Sequence, residues 1–467
     1  MGEAIEFSQV IPCDSQYLYD WHNMPKALSR LIPPWEKVRV KKHPSTLINE
    51  SEVNIDLLMG PLSLNWDLKI HDVVEGKQFC DSQVKGPFKE WTHRHEMREM
   101  NDSNSLLVEN VNFKMPVFHS LGSKYFAIDK LKKLFQYRFQ VISNDIKRHF
   151  KYKGRKAMKI LVSGATGLVG KALTEFLESG GHEVLKLSRS EAHKDDQLNW
   201  TPPDNDFAGS VDQEKLEGLD AVVHLAGENI ASKRWSVEQK EKIKNSRVLG
   251  TQFLVDQLCN LKNPPKTFIC ASAIGYYGHS LDELYDENSE SGEGFLAETC
   301  KLWEDATAKA KDKGIRVVNT RIGVVLDPRE GALAKMLPIF QIGGGGNLGK
   351  GSQWMSWVAL DDVVGAIHHC IMNENISGAV NLVAPEPVQN QEFTKILAKV
   401  LFRPALFPAP AFALRIALGE MADALLLSST KVDAKALRDS GYEFSYPNLE
   451  SALRHMLGKA EKVTASV

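Results

Sequence analysis

The sequence lacks both a disulfide framework and a long uninterrupted hydrophobic run. Its six cysteines are scattered along 467 residues without a CxxC pair, which predicts reduced thiols in a cytoplasmic protein. The most apolar stretch late in the chain, residues 407–427, is interrupted by prolines and charged side chains, so we do not expect it to span a membrane. Because Glu3, Glu6 and Asp14 interrupt the start of the chain, no signal peptide is predicted.

A strong excess of one charge is also missing. The formal net charge of -2 argues against a general nucleic-acid binder. The basic run at residues 147–156 is interpreted as the end of a helix followed by a solvated linker. A hydrophobic fraction of 43% and a charged fraction of 25% are ordinary for a globular protein, and the length allows two or three domains.

A glycine-rich stretch organises the chain at residues 158–170, which read MKILVSGATGLVG. A short apolar run predicts a buried strand, Gly164, Gly167 and Gly170 follow at three-residue spacing, and a helical pattern begins at Leu168. This order favours dinucleotide binding, because the backbone must approach a pyrophosphate that lies over free N–H groups of the helix. The alternative is a tight strand-to-helix turn without a ligand.

After this turn, short apolar runs alternate with helical patterns. Strands are predicted at 183–187, 221–225, 267–271 and 316–320, and helices at 237–261 and 297–313. The alternation indicates an α/β fold with a doubly wound parallel Rossmann sheet.

The end of the second predicted strand bears on the choice of cofactor. An NAD enzyme places an acidic residue there for the ribose hydroxyls, whereas this chain has Ser188 and Arg189. Since a guanidinium beside a hydroxyl suits a 2′-phosphate, the sequence favours NADP. The alternative is that Arg189 is only a surface arginine.

The segment before the glycine-rich stretch has a different pattern. Apolar and polar residues alternate around 53–57, 64–71 and 108–115, and a long amphipathic helix is predicted to end near residue 146. Several antiparallel strands followed by a long helix favour an α+β domain with a sheet wrapped around a helix.

Residues 33–35 (PPW) and 86–88 (GPF), with Trp91, His93 and His95, resemble the START-like, polyketide-cyclase-like helix-grip superfamily. The resemblance implies a cavity for a small hydrophobic ligand. His93 and His95, two apart on a strand, would point the same way, as metal ligands could. No third ligand with suitable spacing is evident, so a polar cavity wall or a hydrogen-bonded pair is favoured and no metal site is predicted.

A second resemblance covers residues 158–457. Its motifs are LAGENI at 225–230, RW at 234–235, SR at 246–247, SAIGYYG at 272–278, WE at 303–304 and RIGVVL at 321–326. They are similar to the extended short-chain dehydrogenase/reductases, in the epimerase-like subgroup once called cell-division-inhibitor-like. Together, the two resemblances imply a helix-grip domain at 1–150, an NADP-binding Rossmann domain at 158–384 and a small helical tail domain at 385–460.

The cofactor contacts implied by this resemblance begin with the glycine loop. The full set comprises Gly164, Ala165, Thr166, Gly167, Leu168, Gly170, Ser188, Arg189, Leu225, Ala226, Gly227, Arg247 and Val325. Without the resemblance, Arg247 would be interpreted as a charge on a helix surface.

The family's usual catalytic pair, a Tyr-x-x-x-Lys, is replaced by Phe295 and Thr299. Phenylalanine cannot transfer a proton and threonine carries no charge. Ser272 and Tyr277, at the end of the fourth strand, are the candidate catalytic residues, and Glu228 is a further one. For Tyr277 the alternative is a packed aromatic at a turn.

Two functions follow from these residues. The first is an NADP-binding oxidoreductase or nucleotide-sugar-epimerase-like protein acting on a small carbonyl or alcohol. The second is an NADP-binding regulatory or sensor protein that has lost its acid/base. The expected partners are a small-molecule substrate and a hydrophobic ligand of the N-terminal domain, with no nucleic acid. The oligomeric state is not predicted.

Overall fold

The computed structural model describes residues 2–116, 121–190, 194–204 and 207–460. Within these residues the chain forms two compact units. The first comprises the described parts of Met1–Arg155, Glu178–Gly181 and Arg454–Val467, and the second comprises the described parts of Lys156–Leu177 and His182–Leu453. The three domains expected from the sequence, with their boundaries, stay predictions.

The first unit is built on a seven-stranded antiparallel sheet. Its strands are β1 (Glu3–Ile11), β2 (Val38–Lys42), β3 (Glu52–Met59), β4 (Leu62–Val74), β5 (Gln78–Lys85), β6 (Glu90–Asn101) and β7 (Asn104–Lys114). Its helices are α1 (Ser15–Asn23), α2 (Ala27–Arg30) and α3 (Leu121–Phe150). The strand order is β1-β7-β6-β5-β4-β3-β2, so β1 closes against the last strand.

The core of this unit lies between the sheet and α3. One face of α3 buries Leu131, Phe135, Phe139, Ile142 and Ile146 at helical spacing, and the Phe135 ring stacks on Phe7 of β1 with 4.5 Å between centroids. The predicted long helix and the strands expected near β3, β4 and β7 are confirmed. The strand on which His93 and His95 were placed is β6, whereas the sequence interpretation did not identify β1, β2 and β5.

The second unit contains an eight-stranded sheet. Its strands are β8 (Lys159–Ser163), β9 (Glu183–Ser188), β10 (Gln197–Thr201), β11 (Ser210–Val211), β12 (Ala221–His224), β13 (Thr267–Ala273), β15 (Arg316–Ile322) and β19 (Gly378–Leu382). The short strands β14 (Leu284–Tyr285), β16 (Val324–Leu326), β17 (Trp354–Met355), β18 (Trp357–Ala359), β20 (Val388–Gln389) and β21 (Lys431–Val432) pair outside it as β14-β21, β16-β18 and β17-β20.

Helices fill the connections. They are α4 (Leu168–Ser179), α5 (Val237–Cys259), α6 (Phe295–Asp305), α7 (Ala308–Asp312), α8 (Gly331–Gln341), α9 (Leu360–Met372), α10 (Asn390–Leu401), α11 (Ala411–Leu418), α12 (Lys435–Asp439) and α13 (Leu449–Met456). Short 3₁₀ helices span Gln213–Leu216 and Ile274–Tyr277, and a π-helix spans Ala422–Leu427. Among the described residues, none of the helices combines the length and the hydrophobicity that a membrane span requires.

The order of the large sheet is β11-β10-β9-β8-β12-β13-β15-β19, and all pairs except β10-β11 are parallel. The doubly wound Rossmann sheet and a helical C-terminal region are thus confirmed. Because the order reverses on either side of β8, the switch point lies where β8 and β12 end, which is where ligands bind in such sheets. The helix expected at 297–313 is divided into α6 and α7, since the Thr307 hydroxyl donates to the Glu304 carbonyl at 2.6 Å and competes with the helix bonds.

Candidate active site

Gly164 follows β8 and turns the chain toward α4. Its φ of 68° lies in the left-handed region. An added Cβ would lie 2.9 Å from the Leu225 carbonyl carbon and 3.0 Å from the Ala226 nitrogen. Both are backbone atoms, so this position requires glycine. The turn therefore lies directly against residues 225–226, which follow β12.

Gly170 and Gly167 meet different surroundings. An added Cβ at the buried Gly170 would lie 2.1 Å from the Gly164 carbonyl oxygen, so packing of α4 on the turn requires glycine there. Gly167 is exposed beside Thr166, and a Cβ on it would meet the Gly164 oxygen only at 3.4 Å. The protein itself leaves room above Gly167. This open cradle at the N-terminus of the twelve-residue α4 fits a pyrophosphate.

Ser163 ties the ends of β8 and β12 together. Its hydroxyl accepts hydrogen bonds from the backbone nitrogens of Leu225 at 3.1 Å and Ala226 at 3.2 Å, and it lies 2.7 Å from His224 Nδ1. Burial lowers the pKa of His224 to about 4, so its imidazole is neutral near pH 7. His224 is therefore a packed strand residue that holds the cradle in shape.

Arg189 lies exposed just after β9, which pairs with β8. The Ser188 hydroxyl lies 2.9 Å from the Ser190 hydroxyl and accepts from the Ser190 backbone nitrogen at 3.2 Å. Asn199 holds the same segment by donating to the Ser190 carbonyl at 2.9 Å. The backbone here is thus fixed by its neighbours, and the Arg189 guanidinium has no ion-pair partner within the described part of the chain.

Arg247 projects from α5 toward residues 227–228. Its Nη1 donates to the Glu228 carbonyl at 2.9 Å and the Ile243 carbonyl at 3.0 Å, and its Cζ lies 5.0 Å from the centre of the Trp303 ring. An added Cβ on Gly227 would lie 3.3 Å from that Cζ. Burial lowers the pKa of Arg247, and no described carboxylate forms an ion pair with it. The structure thus brings a second cation to the edge of the β12 loop.

Val325 lies apart from these residues in the strand order. It is half-buried on β16 and pairs with Val358 of β18, outside the large sheet. The structure therefore joins the glycine loop, residues 225–227 and Arg247 through direct contacts, whereas no contact described among these residues includes Val325.

Ser272 and Tyr277 belong to one chain of buried polar side chains. The Ser272 hydroxyl donates to Glu304 Oε1 at 2.7 Å, and Arg321 donates to both oxygens of Glu304 at 2.9 Å. Arg321 Nη1 also donates to the Tyr277 hydroxyl at 2.9 Å, which in turn donates to Asn381 Oδ1 at 2.7 Å. Every member of this network has a partner.

The surroundings of Tyr277 keep its phenol protonated. Burial raises the pKa of Tyr277 to about 12, although the nearby Arg321 guanidinium acts in the opposite direction. The Tyr277 side chain is 1% exposed, and its proton is already donated to Asn381. These contacts agree with the packed-aromatic alternative, and the catalytic assignment of Ser272 and Tyr277 stays a prediction.

Sequence reasoning missed Glu304, Arg321 and Asn381 as members of this network. Glu304 and Arg321 did stand within quoted motifs, and Arg321 directly follows the strand predicted at 316–320. A charged residue that continues such a buried strand needs a partner, which was the available signal.

Phe295 and Thr299 occupy the first two turns of α6. The Phe295 ring meets Trp235 edge to face with 5.1 Å between centroids, and Lys240 Nζ lies 5.3 Å from its centre. Lys240 is already paired with Glu420 at 2.6 Å. The Thr299 side chain is buried, and its hydroxyl has no hydrogen-bond partner among the described residues. This part of α6 is apolar where the usual catalytic pair would be polar.

The glycine-rich segment at 343–346 is held by the chain that follows α10. Phe407 N donates to the Gly345 carbonyl at 3.0 Å, and Ala409 N donates to the Asn347 carbonyl at 2.8 Å. An added Cβ on Gly346 would lie 2.2 Å from the Phe407 carbonyl oxygen. The segment is therefore packed against neighbouring backbone rather than a free connector.

In the first unit, His93 and His95 lie on β6 with two carboxylates. Neighbouring strands place Asp81 opposite His93 and Glu109 opposite His95. Burial acts to raise the pKa values of Asp81 and Glu109, but the imidazoles hold both well below their usual range. Against its own burial, His95 between these carboxylates has a pKa raised to about 9. The cross-strand register, which sequence reasoning did not attempt, was the signal for Asp81 and Glu109.

Comparison with known proteins gives matches along both units. The NAD dependent epimerase/dehydratase family model matches residues 160–382, and a domain of unknown function (DUF1731) matches 409–456. Epimerase family protein Mb2239 of Mycobacterium bovis is 40% identical over 294 residues, which cover 63% of this chain and 96% of that protein. The Arabidopsis thaliana chloroplastic SDR39U1 homolog is 42% identical over 64% of this chain and 87% of its own.

Two solved structures are also similar. A nucleoside-diphosphate sugar epimerase from Corynebacterium glutamicum aligns with 97% of this chain and 90% of its own, at 32% identity and a TM-score of 0.79. Human epimerase family protein SDR39U1 (isoform 2), solved with NADPH, aligns with 64% of this chain and 99% of its own, at 32% identity and a TM-score of 0.59.

These matches confirm the resemblance to the extended short-chain dehydrogenase/reductases. Since the family matches begin at residue 160, the START-like assignment of the first unit stays a prediction. For the part of the chain from residue 160 onward, the classification rests on the sequence identity to relatives that this chain covers over nearly their whole length. The chain belongs to the NAD dependent epimerase/dehydratase family.

Proposed function

We propose that the second unit binds NADP(H) at the end of β8 and exchanges hydride between this cofactor and a small carbonyl or alcohol. The observation that carries the proposal is the open cradle above Gly167 at the end of β8, with one cation beside each neighbouring strand: Arg189 follows β9, and Arg247 contacts the loop after β12. The human relative solved with NADPH supports the choice of cofactor. The corynebacterial neighbour, named an epimerase, supports chemistry on a sugar-like alcohol.

In this proposal the residues of the turn bind the diphosphate. The backbone of Ala165, Thr166 and Leu168 supplies N–H groups at the positive end of α4. The Gly167 N–H donates to the Gly164 carbonyl at 3.0 Å, so Gly167 contributes the open space for the diphosphate, while Gly164 and Gly170 shape the turn. Residues 225–227 provide a backbone wall without large side chains. The bound nicotinamide supplies the hydride.

The two cations have separate roles. Arg189, beside the Ser188 hydroxyl, binds the 2′-phosphate that distinguishes NADP from NAD. Arg247 has no described carboxylate partner and stabilises a negative charge of the cofactor common to both forms. Val325 was also expected to contact the cofactor, but no described contact supports such a role.

A second candidate function is supported by the closed network around Tyr277. Because Tyr277 and Ser272 both donate to side-chain oxygens, neither offers a proton without breaking a buried hydrogen bond. Phe295 and Thr299 supply no substitute. These contacts favour an NADP-binding sensor that lacks turnover. The hydrophobic ligand and helix-grip character of the first unit remain part of this proposal, since a ligand-binding unit ahead of a cofactor sensor would give it a signal.

Titration of NADPH and NADH against the whole protein tests the cofactor. Arg189→Ala should weaken NADPH binding by about 10- to 100-fold, the loss of a hydrogen bond to a charged group, and leave NADH binding unchanged. Arg247→Ala should weaken both cofactors alike, and the exposed Arg403→Ala is the matched control that should weaken neither. Equal affinities in the wild type, or an NADPH preference that survives Arg189→Ala, would overturn the NADP assignment.

Turnover separates the two candidate functions. NADPH oxidation is followed with a panel of small carbonyls and sugar-nucleotide ketones in the wild type, Tyr277→Phe and Ser272→Ala. An enzyme that uses these groups should lose about 100-fold in kcat in at least one variant with an unchanged Kd for NADPH. A sensor should show tight NADPH binding, no turnover in any variant and a melting transition that responds to cofactor.

A further inference from the structure

Five polar side chains converge in the core of the first unit. His93 and His95 come from β6, Asp81 from β5, Glu109 from β7 and His22 from α1. All five are buried, with exposed fractions between 2% and 8%. The strand register explains the convergence, since Asp81 pairs with His93 and His95 pairs with Glu109. An apolar core normally excludes such groups. Because these five side chains are buried together, their charges must be paired.

Within this cluster, Asp81 orients His95, and His93 orients Glu109. His95 Nε2 lies 3.1 Å from Asp81 Oδ2, while Trp91 Nε1 donates to Asp81 Oδ1 at 3.0 Å. His93 Nε2 lies 2.8 Å from Glu109 Oε2. With Asp81 accepting from His95 Nε2, the lone pair of the neutral His95 ring is on Nδ1.

Two imidazole nitrogens of this five-residue cluster are without a hydrogen bond to any described residue, His22 Nε2 and His95 Nδ1. His22 Nδ1 donates to the Leu18 carbonyl at 2.8 Å, because a carbonyl can only accept, so Nε2 carries the lone pair of the neutral ring. His95 Nδ1 lies 2.8 Å from Glu109 Oε2 without hydrogen-bond geometry. When a metal ion displaces the proton from His95 Nδ1, two imidazole lone pairs and a carboxylate oxygen face one another, an arrangement that can bind a cation.

We propose that this cluster is a binding site for a divalent first-row transition metal ion, with His22 Nε2, His95 Nδ1 and the Glu109 carboxylate as ligands. One ligand atom of each of these residues lies within 4.8 Å of the others. Two imidazoles and one carboxylate form a ligand set that zinc and ferrous iron accept, and three protein ligands leave a position for water or substrate.

Each proposed ligand has the outer partner that metal sites use. The Leu18 carbonyl fixes the His22 ring, Asp81 fixes the His95 ring, and His93 lies against Glu109. The competing arrangement is a metal-free ion pair in which a doubly protonated His95 donates to both carboxylates. That arrangement leaves His22 Nε2 without a role, whereas the metal site uses it.

Zinc and cobalt titrations of the full chain test the proposal. After chelation, the protein should bind one Zn²⁺ per chain by calorimetry, and Co²⁺ in its place should give a ligand-field absorption spectrum. His22→Ala should weaken Zn²⁺ binding by at least about 100-fold, and Asp81→Asn by about 10- to 100-fold, as for other outer-partner changes. His43→Ala, a half-buried histidine of the same unit outside the cluster, is the matched control and should bind as the wild type does.

Two other groups of described residues in this unit could bind the cation: Asp81, His93 and His95, which share His95 with the proposed site, and the partly exposed His71, Asp72 and Cys80. Normal Zn²⁺ binding in His22→Ala with loss of binding in His93→Ala would place the ion in the first of these groups and overturn the proposal. Loss of Zn²⁺ binding in His71→Ala, with normal binding in His22→Ala, would overturn the proposal. So would the absence of saturable Zn²⁺ binding in the wild type. If His22→Ala does not fold by circular dichroism, Glu109→Gln decides, because it keeps side-chain volume: retained affinity in a folded Glu109→Gln protein rejects the site.

Discussion

The Tyr277 hydroxyl donates a hydrogen bond to Asn381 Oδ1 at 2.7 Å, and this bond ends a chain of side chains that begins at Ser272. In the middle of this chain, the buried Arg321 forms a bidentate pair with the partly buried Glu304, so the orientation of the guanidinium plane is fixed. Despite its burial, Arg321 has a pKa raised above the usual range by Glu304. The side chains at the end of β13 thus belong to a rigid charged network. Its hydrogen bonds connect the candidate catalytic residues to the neighbouring strands of the sheet.

Tyr277→Phe should therefore lower the stability of the second unit. The change leaves Asn381 Oδ1 without its donor and removes one acceptor from Arg321, a cost of about 1 to 3 kcal/mol for buried polar groups. Urea denaturation measures it. Tyr276→Phe is the matched control, because the Tyr276 ring lies 3.5 Å from Arg321 Cζ and no hydrogen bond of its hydroxyl is described. Equal losses in the two variants would contradict the structural role of the Tyr277 hydroxyl.

Gly167→Ala should weaken NADPH binding by at least about tenfold, because the added methyl group enters the space proposed for the pyrophosphate. The melting temperature should not change, because within the protein this methyl group meets only the Gly164 oxygen, at 3.4 Å. Gly170→Ala should instead lower stability by about 1 to 3 kcal/mol, because its Cβ would overlap turn backbone. Calorimetric binding and thermal melts distinguish the two. Gly250→Ala, with nothing within 4 Å of its added Cβ, is the control. Wild-type NADPH affinity in Gly167→Ala would remove the diphosphate from this turn.

Replacing His224 should flatten the acid side of the stability profile. Burial lowers the pKa of His224 from an unfolded value of 6.5 to about 4, so the unfolded chain binds the proton more readily. The resulting stability is fully present above about pH 6.5 and is lost as the pH falls toward 4, amounting to about 2 kcal/mol between roughly pH 7.5 and pH 5. Urea melts of wild type and His224→Asn at both pH values give the difference. If the free energy of unfolding changes with pH by the same amount in the two proteins, His224 does not titrate in this range.

The sequence predicted the parts of the fold that local pattern specifies. The strand before Gly164 and the helix after it are adjacent in the chain, so the hydrophobic period and glycine spacing defined both. The strand β5 was missed, and β6 was placed only at His93 and His95, because polar residues face inward on both strands: Asp81, His93 and His95 occupy positions that normally carry apolar side chains.

The candidate site was predicted less completely, because its contacts join distant positions. Ser272 and Glu304 are 32 residues apart, and Tyr277 and Asn381 are 104 residues apart. No spacing rule links such pairs, since the sheet order β13-β15-β19 brings them together. The glycine loop and Arg189, in contrast, lie next to strand ends that periodicity had located. This is why cofactor residues could be proposed from sequence whereas the polar network around Tyr277 could not.

Phe295→Tyr should change turnover by less than about threefold, even though it restores the aromatic hydroxyl of the usual catalytic position. A phenol has a pKa of roughly 10 and needs a nearby cation to act at neutral pH. Thr299 supplies none, and Lys240, 5.3 Å from the ring centre, is engaged with Glu420 at 2.6 Å. Steady-state NADPH oxidation with the carbonyl panel measures the effect, and the control is Tyr125→Phe at an exposed tyrosine of the first unit. A gain of about 100-fold in Phe295→Tyr alone would mean that a cation reaches this position after all, and would make Phe295 rather than the network at Tyr277 the determinant of activity.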